Sequence, residues 1–557
     1  MIKKTNKLVL VVGIIVAMLV GLLTPLITPP KVHAATILPT YRFSKPAGSN
    51  NNAGHSFAFD IAEDAAGNTY TSGYYNGTVT FDGVGGSDTR TSTNDDAFLT
   101  KRTASGAYVW TKTFDASAVN SNSYAQGVVV DKDGNIIMAG QWQGTVKFDG
   151  VGGSDSKTTT ADFNSYVTKF SPTGTYLFTK IFSQSSGNSS NADQVQTDSS
   201  GNIYIGGYWD GTATFDGVGG TDTRTSTHAN SYLTKYTSSG SYVYTKVLDT
   251  SASGSGAGGD ADVGIDSGGN VYVTGTWIGT VVFDGVGGSD SRTSANNNSY
   301  VTKYSPSGTY LYTKSLDATS GSIASVNPYL AIDPSGNVYW YSVYDGMVKF
   351  DGVGGTHSGT SATHLSSFLT KFSPSGAYLY TKSILPVSGD VSPARVTTDK
   401  FGRVYITGNW QTGSVTLDGA GGTDTHTTAG DFSGFIVQYN ADGSYGWSRT
   451  IDANGAGDNV DVTDLAGLLV DAQGNLYLAS DYSGNVLFDG TGGSDHSPVT
   501  TVSTAFVLSY HVSDPTAAPA APNTGYALPP QTPWLTYTEI TAATLFGATY
   551  LLRKHRS

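Results

Sequence analysis

Short runs in which apolar and polar residues alternate, broken by Gly, Pro, Asn and Asp, fill most of this sequence. Alternation with a period of two marks half-buried strands. The stretch from Gln126 to Phe182 shows one full cycle. Gln126–Asp131 (QGVVVD) predicts a strand a, and Lys132-Asp133-Gly134-Asn135 a tight turn. Ile136–Trp142 (IIMAGQW) predicts strand b, followed by an insert, GTVKFDGVGGSDSKTTT. Ser165–Phe170 (SYVTKF) predicts strand c. Ser171-Pro172-Thr173-Gly174 supplies turn chemistry, and Thr175–Phe182 (TYLFTKIF) predicts strand d.

The cycle recurs. The stretch Phe-Asp-Gly-Val-Gly-Gly starts at Phe81, Phe148, Phe215, Phe283 and Phe350, and altered copies start at Leu417 and Phe488. Steps of 67, 67, 68, 67, 67 and 71 residues separate them, so one supersecondary unit occurs seven times. Thr40–Lys45 has the pattern of a strand d with no a, b or c before it. Ala505–Tyr510 has that of a strand c with no d after it. The expected fold is all-β: a seven-bladed β-propeller of four-stranded antiparallel blades, closed by the N-terminal strand completing the last blade. An open solenoid of stacked sheets would not need the two orphan strands to match.

Composition adds exclusions. Without cysteine, disulfides, thiolate metal sites and thiol nucleophiles are ruled out. Glu63 and Glu539 are the only glutamates, so acidity comes from aspartates, mostly at turns. A net charge of -13 speaks against a nucleic-acid partner, which needs a basic face.

Both ends differ from the repeats. Residues 1–34 have the pattern of a secretory signal: Lys3, Lys4 and Lys7, an apolar run from Leu8 to Leu23, and small residues that place cleavage between Ala34 and Ala35. The alternative is an uncleaved anchor. Residues 35–512 hold the propeller, and 513–533 form a Pro- and Ala-rich linker. Residues 534–557 form an apolar helix with a basic tail. Ala521-Pro522-Asn523-Thr524-Gly525 in the linker, the apolar segment and Arg553-Lys554-His555-Arg556 together resemble the cell-wall sorting signal of sortase substrates. That resemblance implies cleavage after Thr524 and its transfer to a wall amine. Ala521 stands where the family has Leu, and Glu539 interrupts the apolar segment. The alternative is retention by the helix itself. Any contact with a membrane is expected through these end segments alone. Losing both ends removes seven positive charges and one negative, moving the net from -13 to -19.

Within the repeats, Asp198–Gly207 and Asp266–Gly275 follow D-x-x-G-N-x-Y-x-x-G, and Asp131–Gly140 does so loosely. With the following S-Y-x-T-K and S-P-x-G-T-Y runs, this resembles the SBBP-type bacterial β-propeller repeat. The resemblance implies an exported bacterial propeller and no catalytic residues.

The b–c inserts and the variable d–a connections define the expected recognition face. An aromatic closes strand b in every repeat: Tyr75, Trp142, Trp209, Trp277, Tyr344, Trp410 and Tyr482. These seven either pack beneath their own inserts or form platforms for sugar rings. Asp82 with Asp88, and Asp149 with Asp155, flank the Gly-rich stretch. They either cap turn amides or hold calcium, the only cofactor considered. Lys169, Lys180, Lys235 and Lys246 are expected to face solvent. The histidines, among them His357, His364, His426 and His496, share no repeat position. No residue breaks the repeat symmetry as a catalytic site would, and no hydrolase motif is present, so no enzymatic activity is expected. The function expected is a secreted, surface-anchored binding or adhesion module for an extracellular glycan or protein. The alternatives are a spacer without ligand and an extracellular glycan hydrolase or lyase.

Overall fold

The computed structural model describes residues 38–514 apart from 84, 186, 251, 253–254, 259–260, 321–327, 353, 420–421, 463–465 and 491–492. The signal, the sorting pentapeptide and the C-terminal helix predicted from the sequence lie outside the described residues. No helix among the described residues is long and apolar enough to cross a membrane.

The described chain is all strand and turn. Each repeat forms an antiparallel sheet in the order a-b-c-d. In the second, Asn122–Val130 pairs with Ile136–Gln143, that strand with Asn164–Phe170, and the last with Tyr176–Ile181. The seventh takes its a, b and c from Gly467–Val470, Asn475–Gly484 and Thr500–His511, and its d from Thr40–Pro46. The predicted union of the two orphan strands is therefore observed. Tyr41 occupies the same place as Tyr108 and Tyr176, donating its hydroxyl to the second aspartate of its own sheet's insert, Asp495.

The inserts do not project from the face on which they begin. A glycine follows each strand-b aromatic after a bulge or break in pairing, as at Gly77 (φ 72°) and Gly211 (φ 65°). Only glycine holds that conformation without strain, and it turns the hairpin back. The arm that leaves strand b then pairs with the chain arriving from the previous sheet. Asp115 bridges Lys147, Asp249 bridges Val282, and Asp317 pairs with Lys349. Leu385 pairs with Thr416, and Asp452 with Leu487. The fold thus fills the outward-widening gap between neighbouring sheets with an apolar hairpin. Phe148 sits there against Trp142 and Tyr166 of its own sheet and Phe114 of the one before.

A second set of ties runs between sheets at the opposite end. Strand-c lysines lie buried beside the aspartate that ends strand a, and reach a carbonyl in the next sheet's c–d turn. Lys169 is 2.8 Å from Asp131 and donates to the Ser238 carbonyl at 2.9 Å. Lys303 and Lys371 do the same with Asp266 and Asp333, and with the Pro374 and Ala441 carbonyls. Lys235 donates to the Pro306 carbonyl. This corrects the expectation of solvent-facing strand-c lysines. Each ammonium satisfies a buried carboxylate and a turn carbonyl that alternation alone cannot foresee. The strand-d lysines, Lys180 and Lys246, lie half-buried over Phe178 and Tyr244.

Sheets seven and one meet through the same contacts as their counterparts. The Ala505 amide donates to Ser56 Oγ, as the Ala97 amide does to Ser123 Oγ. Ser509 stands where the lysine would be, and Arg42 of the N-terminal strand donates to the Ala104 carbonyl in its place. Tyr477, Ala479, Ala505 and Val507 share one apolar cluster with Ala58, Ile61, Val79 and Phe81.

Candidate functional site

The seven strand-b aromatics are buried. Tyr75 is 2 % exposed, Trp142 and Trp410 0 %, Trp209, Tyr344 and Tyr482 1 %, and Trp277 4 %. Six of them meet the hallmark aromatic of their own insert edge-to-face, as Trp209 meets Phe215 and Tyr482 meets Phe488. Leu417 replaces that aromatic in the sixth sheet, and Trp410 packs against Phe435 instead. A sugar platform needs an open ring face, and the refolded insert covers each one. The platform reading is corrected accordingly.

The hallmark aspartates serve the turn. Asp82 accepts the Ser87 and Asp88 amides at 2.7 and 3.0 Å, and Asp149 accepts those of Ser154 and Asp155. Asp88 is taken by Arg90 and Tyr108, and Asp155 by Lys157 and Tyr176. The two carboxylates of each pair thus answer to different donors rather than to a common point. Where His357 replaces the second aspartate, its ring packs on Tyr378 at 4.4 Å and its Nδ1 meets Asp351. Among the described residues no group of three or more His, Asp or Glu is placed to hold a metal ion.

The repeats bring together a shared cavity. Strand a of all seven sheets lines a cavity of about 380 Å³. One position per repeat sits at the same level, opposite the fourth residue of strand b, or the fifth in the seventh sheet. Reading round, it is Asp60, Gly127, Gln194, Asp262, Tyr329, Arg395 and Gly467. Asp262 is placed there by the bond from the Thr274 amide to its carbonyl. From this level the cavity runs along the strands towards the a–b turns, with Glu63, Val130, Gln196, Ile265, Ile332 and Thr398 further along. It therefore lies on the opposite side from the predicted recognition face.

The charged members are held by backbone. Asp60 accepts the Ile61 amide and, from the next sheet, that of Val128 at 3.0 Å. Asp262 accepts the amides of Val263 at 2.7 Å and Leu330 at 2.8 Å. Arg395 donates its Nε to the Ala466 carbonyl, lies 3.9 Å from Asp262 and covers the Tyr329 ring. Burial pushes the Asp60 carboxyl up to about 6, with Arg395 opposing and Asp262 adding to the rise. Burial, then Asp471, pushes Glu63 up to about 7. Burial also raises Asp262, again against Arg395.

Asp60 binds its proton more tightly folded than unfolded, so it contributes stability at low pH that is lost as pH rises from about 4 to about 6. A two-unit shift corresponds to roughly 3 kcal/mol. Urea titrations across that range are expected to show a fall in stability that Asp60→Asn removes. A variant with the parent's pH slope would refute the assignment.

The trio Asp60, Asp262 and Arg395 carries no repeat signal in the sequence, because this position holds Asp twice, Arg once and other residues in the remaining repeats. Aligning the seven strand-a segments on their bulges would have revealed it. It also supplies the break in symmetry that the sequence reading found lacking.

No family model matches the chain. It is 25% identical over 205 residues to an uncharacterised WD repeat-containing protein of Acanthamoeba polyphaga mimivirus, covering 33% of this chain and 14% of that one. Among solved structures it aligns with a polysaccharide lyase at 10% identity and TM-score 0.41, over 85% of this chain and 99% of the other. It also aligns with the NanB sialidase of Streptococcus pneumoniae at 10% identity and TM-score 0.35, over 85% and 70%. A third is a quinohemoprotein alcohol dehydrogenase of Pseudomonas putida HK5, at 11% identity and TM-score 0.37, over 88% and 79%. These likenesses concern a repeat β-propeller fold and nothing finer. They do correct one expectation. Lyases, a sialidase and a dehydrogenase are among the proteins of propeller-like fold, so the repeat architecture gives no ground for excluding catalysis.

Proposed function

We propose that the seven sheets close into a seven-bladed propeller displayed at a bacterial cell surface, where it binds an extracellular glycan or protein through its axial cavity. The observation that carries this reading is the ring at Asp60, Gln194, Asp262 and Arg395. The repeats resemble one another in their inserts, turns and lysine ties, and diverge at the level that lines the cavity. A scaffold adapted to one ligand is expected to diverge where the ligand sits. Ring closure draws support from the contacts of sheet seven with sheet one, which repeat the amide–serine bond of sheet one with sheet two and put Arg42 in place of the lysine tie.

Display draws on the ends of the chain. Residues 1–34 direct export, with cleavage before Ala35, and sortase joins Thr524 to a wall amine. The SBBP-type repeat resemblance agrees with that setting. In a sortase-bearing Gram-positive host, Thr524→Ala is expected to move the protein from the wall fraction to the membrane or medium. Unchanged wall attachment would refute the sorting role. Adhesion of the displayed protein to extracellular glycans and proteins is expected to fall in Asp262→Asn and Gln194→Ala. Equal adhesion by both variants would leave the protein as a spacer.

A second reading, cleavage of an extracellular glycan, is favoured by one observation. Asp60 and Glu63 share the cavity and hold their protons near the pH at which a general acid works. Product release from polysaccharides, lost in Glu63→Gln, would establish it over binding alone.

A further inference from the structure

The cavity lining also defines the charge of what enters it. Its ionisable side chains are three carboxyls, Asp60, Glu63 and Asp262, against one guanidinium, Arg395. Arg395 is already engaged by the Ala466 carbonyl, Asp262 and the Tyr329 ring. Each oxygen of Asp60 and Asp262 takes one backbone amide, and a carboxylate oxygen has room for a second donor. The walls between this level and the a–b turns mix polar side chains, Glu63, Gln196 and Thr398, with the apolar Ile265 and Ile332. The result is a cavity of mixed polarity with an acidic floor.

Resting on the axial-cavity reading above, we infer that this site takes an organic monocation: an ammonium group, seated at Asp60 and Asp262, on a group small enough to enter a cavity of about 380 Å³. An anion would face three carboxyls. A neutral alcohol would leave the buried negative charge uncompensated. A bare metal ion would lack ligands, since among the described residues no group of three or more His, Asp or Glu is placed to hold one. Burial raises the proton affinity of Asp60, Arg395 lowers it and Asp262 adds a smaller rise, so the carboxyl is one that a neighbouring cation would further stabilise as the anion. The groups facing Asp60 are Arg395, Asp262 and the two amides. Those facing Glu63 are Asp471, Asp64 and Arg42. The same chemistry comes from a free amine or from a lysine side chain on a polypeptide.

Calorimetric titration of the full chain with n-butylammonium chloride, sodium butyrate, 1-butanol and the blocked peptide acetyl-Ala-Lys-Ala-amide tests the inference. Butylammonium is expected to bind one equivalent. Its affinity is expected to fall about tenfold or more in Asp60→Asn, with a smaller loss in Glu63→Gln nearer the a–b turns. Butyrate and butanol are expected to show no heat of binding. Equal binding of the peptide assigns the natural source to a basic side chain, and binding of butylammonium alone assigns it to a small amine. Affinity unchanged in both Asp60→Asn and Glu63→Gln, with each variant folded by circular dichroism, overturns the inference. Butyrate or butanol binding that is lost in Asp60→Asn overturns the charge class and leaves the cavity reading standing. Absence of binding by all four probes overturns the inference, and the adhesion of Gln194→Ala then decides the cavity reading separately.

Discussion

Trp142→Ala is expected to lower the unfolding free energy by about 3–5 kcal/mol, the range for removing a large buried aromatic. The side chain is fully enclosed, and its ring meets Phe148 at 5.5 Å in the gap between the first and second sheets. Removing it leaves a void bounded by the insert, which is held on its far side by the Asp115–Lys147 bridge and by Asp155. The hairpin cannot collapse fully into the space, so the upper part of the range applies. Ligand binding on the axis is expected to stay unchanged, because Trp142 does not line the cavity. Urea unfolding followed by fluorescence reads the first quantity and calorimetry the second. A loss of stability under about 1 kcal/mol, accompanied by loss of glycan binding, would restore the platform reading.

The second large effect concerns Lys169 and Asp131. Both side chains are almost fully buried, 5 % and 1 % exposed, with 2.8 Å between nitrogen and oxygen. Lys169→Met leaves the carboxylate with the Asp133 and Asn135 amides and the Asn135 side chain, without a counter-charge. Stranding a buried charge in this way costs about 3–5 kcal/mol. The Lys169→Met, Asp131→Asn double variant is expected to recover a substantial part, because no ion then remains in the site. The shortfall reports the lost donation to the Ser238 carbonyl, which joins the second sheet to the third. A cycle with additive losses would show that the pair is not coupled, contrary to the geometry.

These two cases mark where sequence pattern suffices and where it stops. The repeat, its four strands and the identity of the missing strand were legible, because period-two alternation and turn residues act locally. The recurrence of the aromatics was legible as well. Their direction was not, because it depends on a bulge and a left-handed glycine such as Gly77 or Gly211 that fold the insert back. Alternation placed Lys169 on an outward face, yet the neighbouring sheet supplies its partners. The axial trio was hidden for a related reason. Strand a is short, and its bulge after Ala58 or Pro393 shifts the alternation by one residue. Asp60 and Arg395 consequently carry no periodic signal that sets them apart until the sheets are assembled.

The seventh sheet also sets an order of events. Its outer strand, Thr40–Pro46, pairs with Thr500–His511, so the first described segment to leave a ribosome or an export pore waits for almost the last. The first six sheets draw on strands close in sequence and can form as the chain emerges. The seventh carries the largest loop-closure cost in the molecule. Until it forms, Tyr41 and Arg42 lack their partners on Asp495 and Ala104, and the edge left on Thr500–His511 is open to a strand from another chain. Completion of the fold is thereby tied to the arrival of residues near the C-terminal end. A chain interrupted before Thr500 would carry a permanently unpaired first strand, a mark by which quality-control proteases could tell it from a finished one.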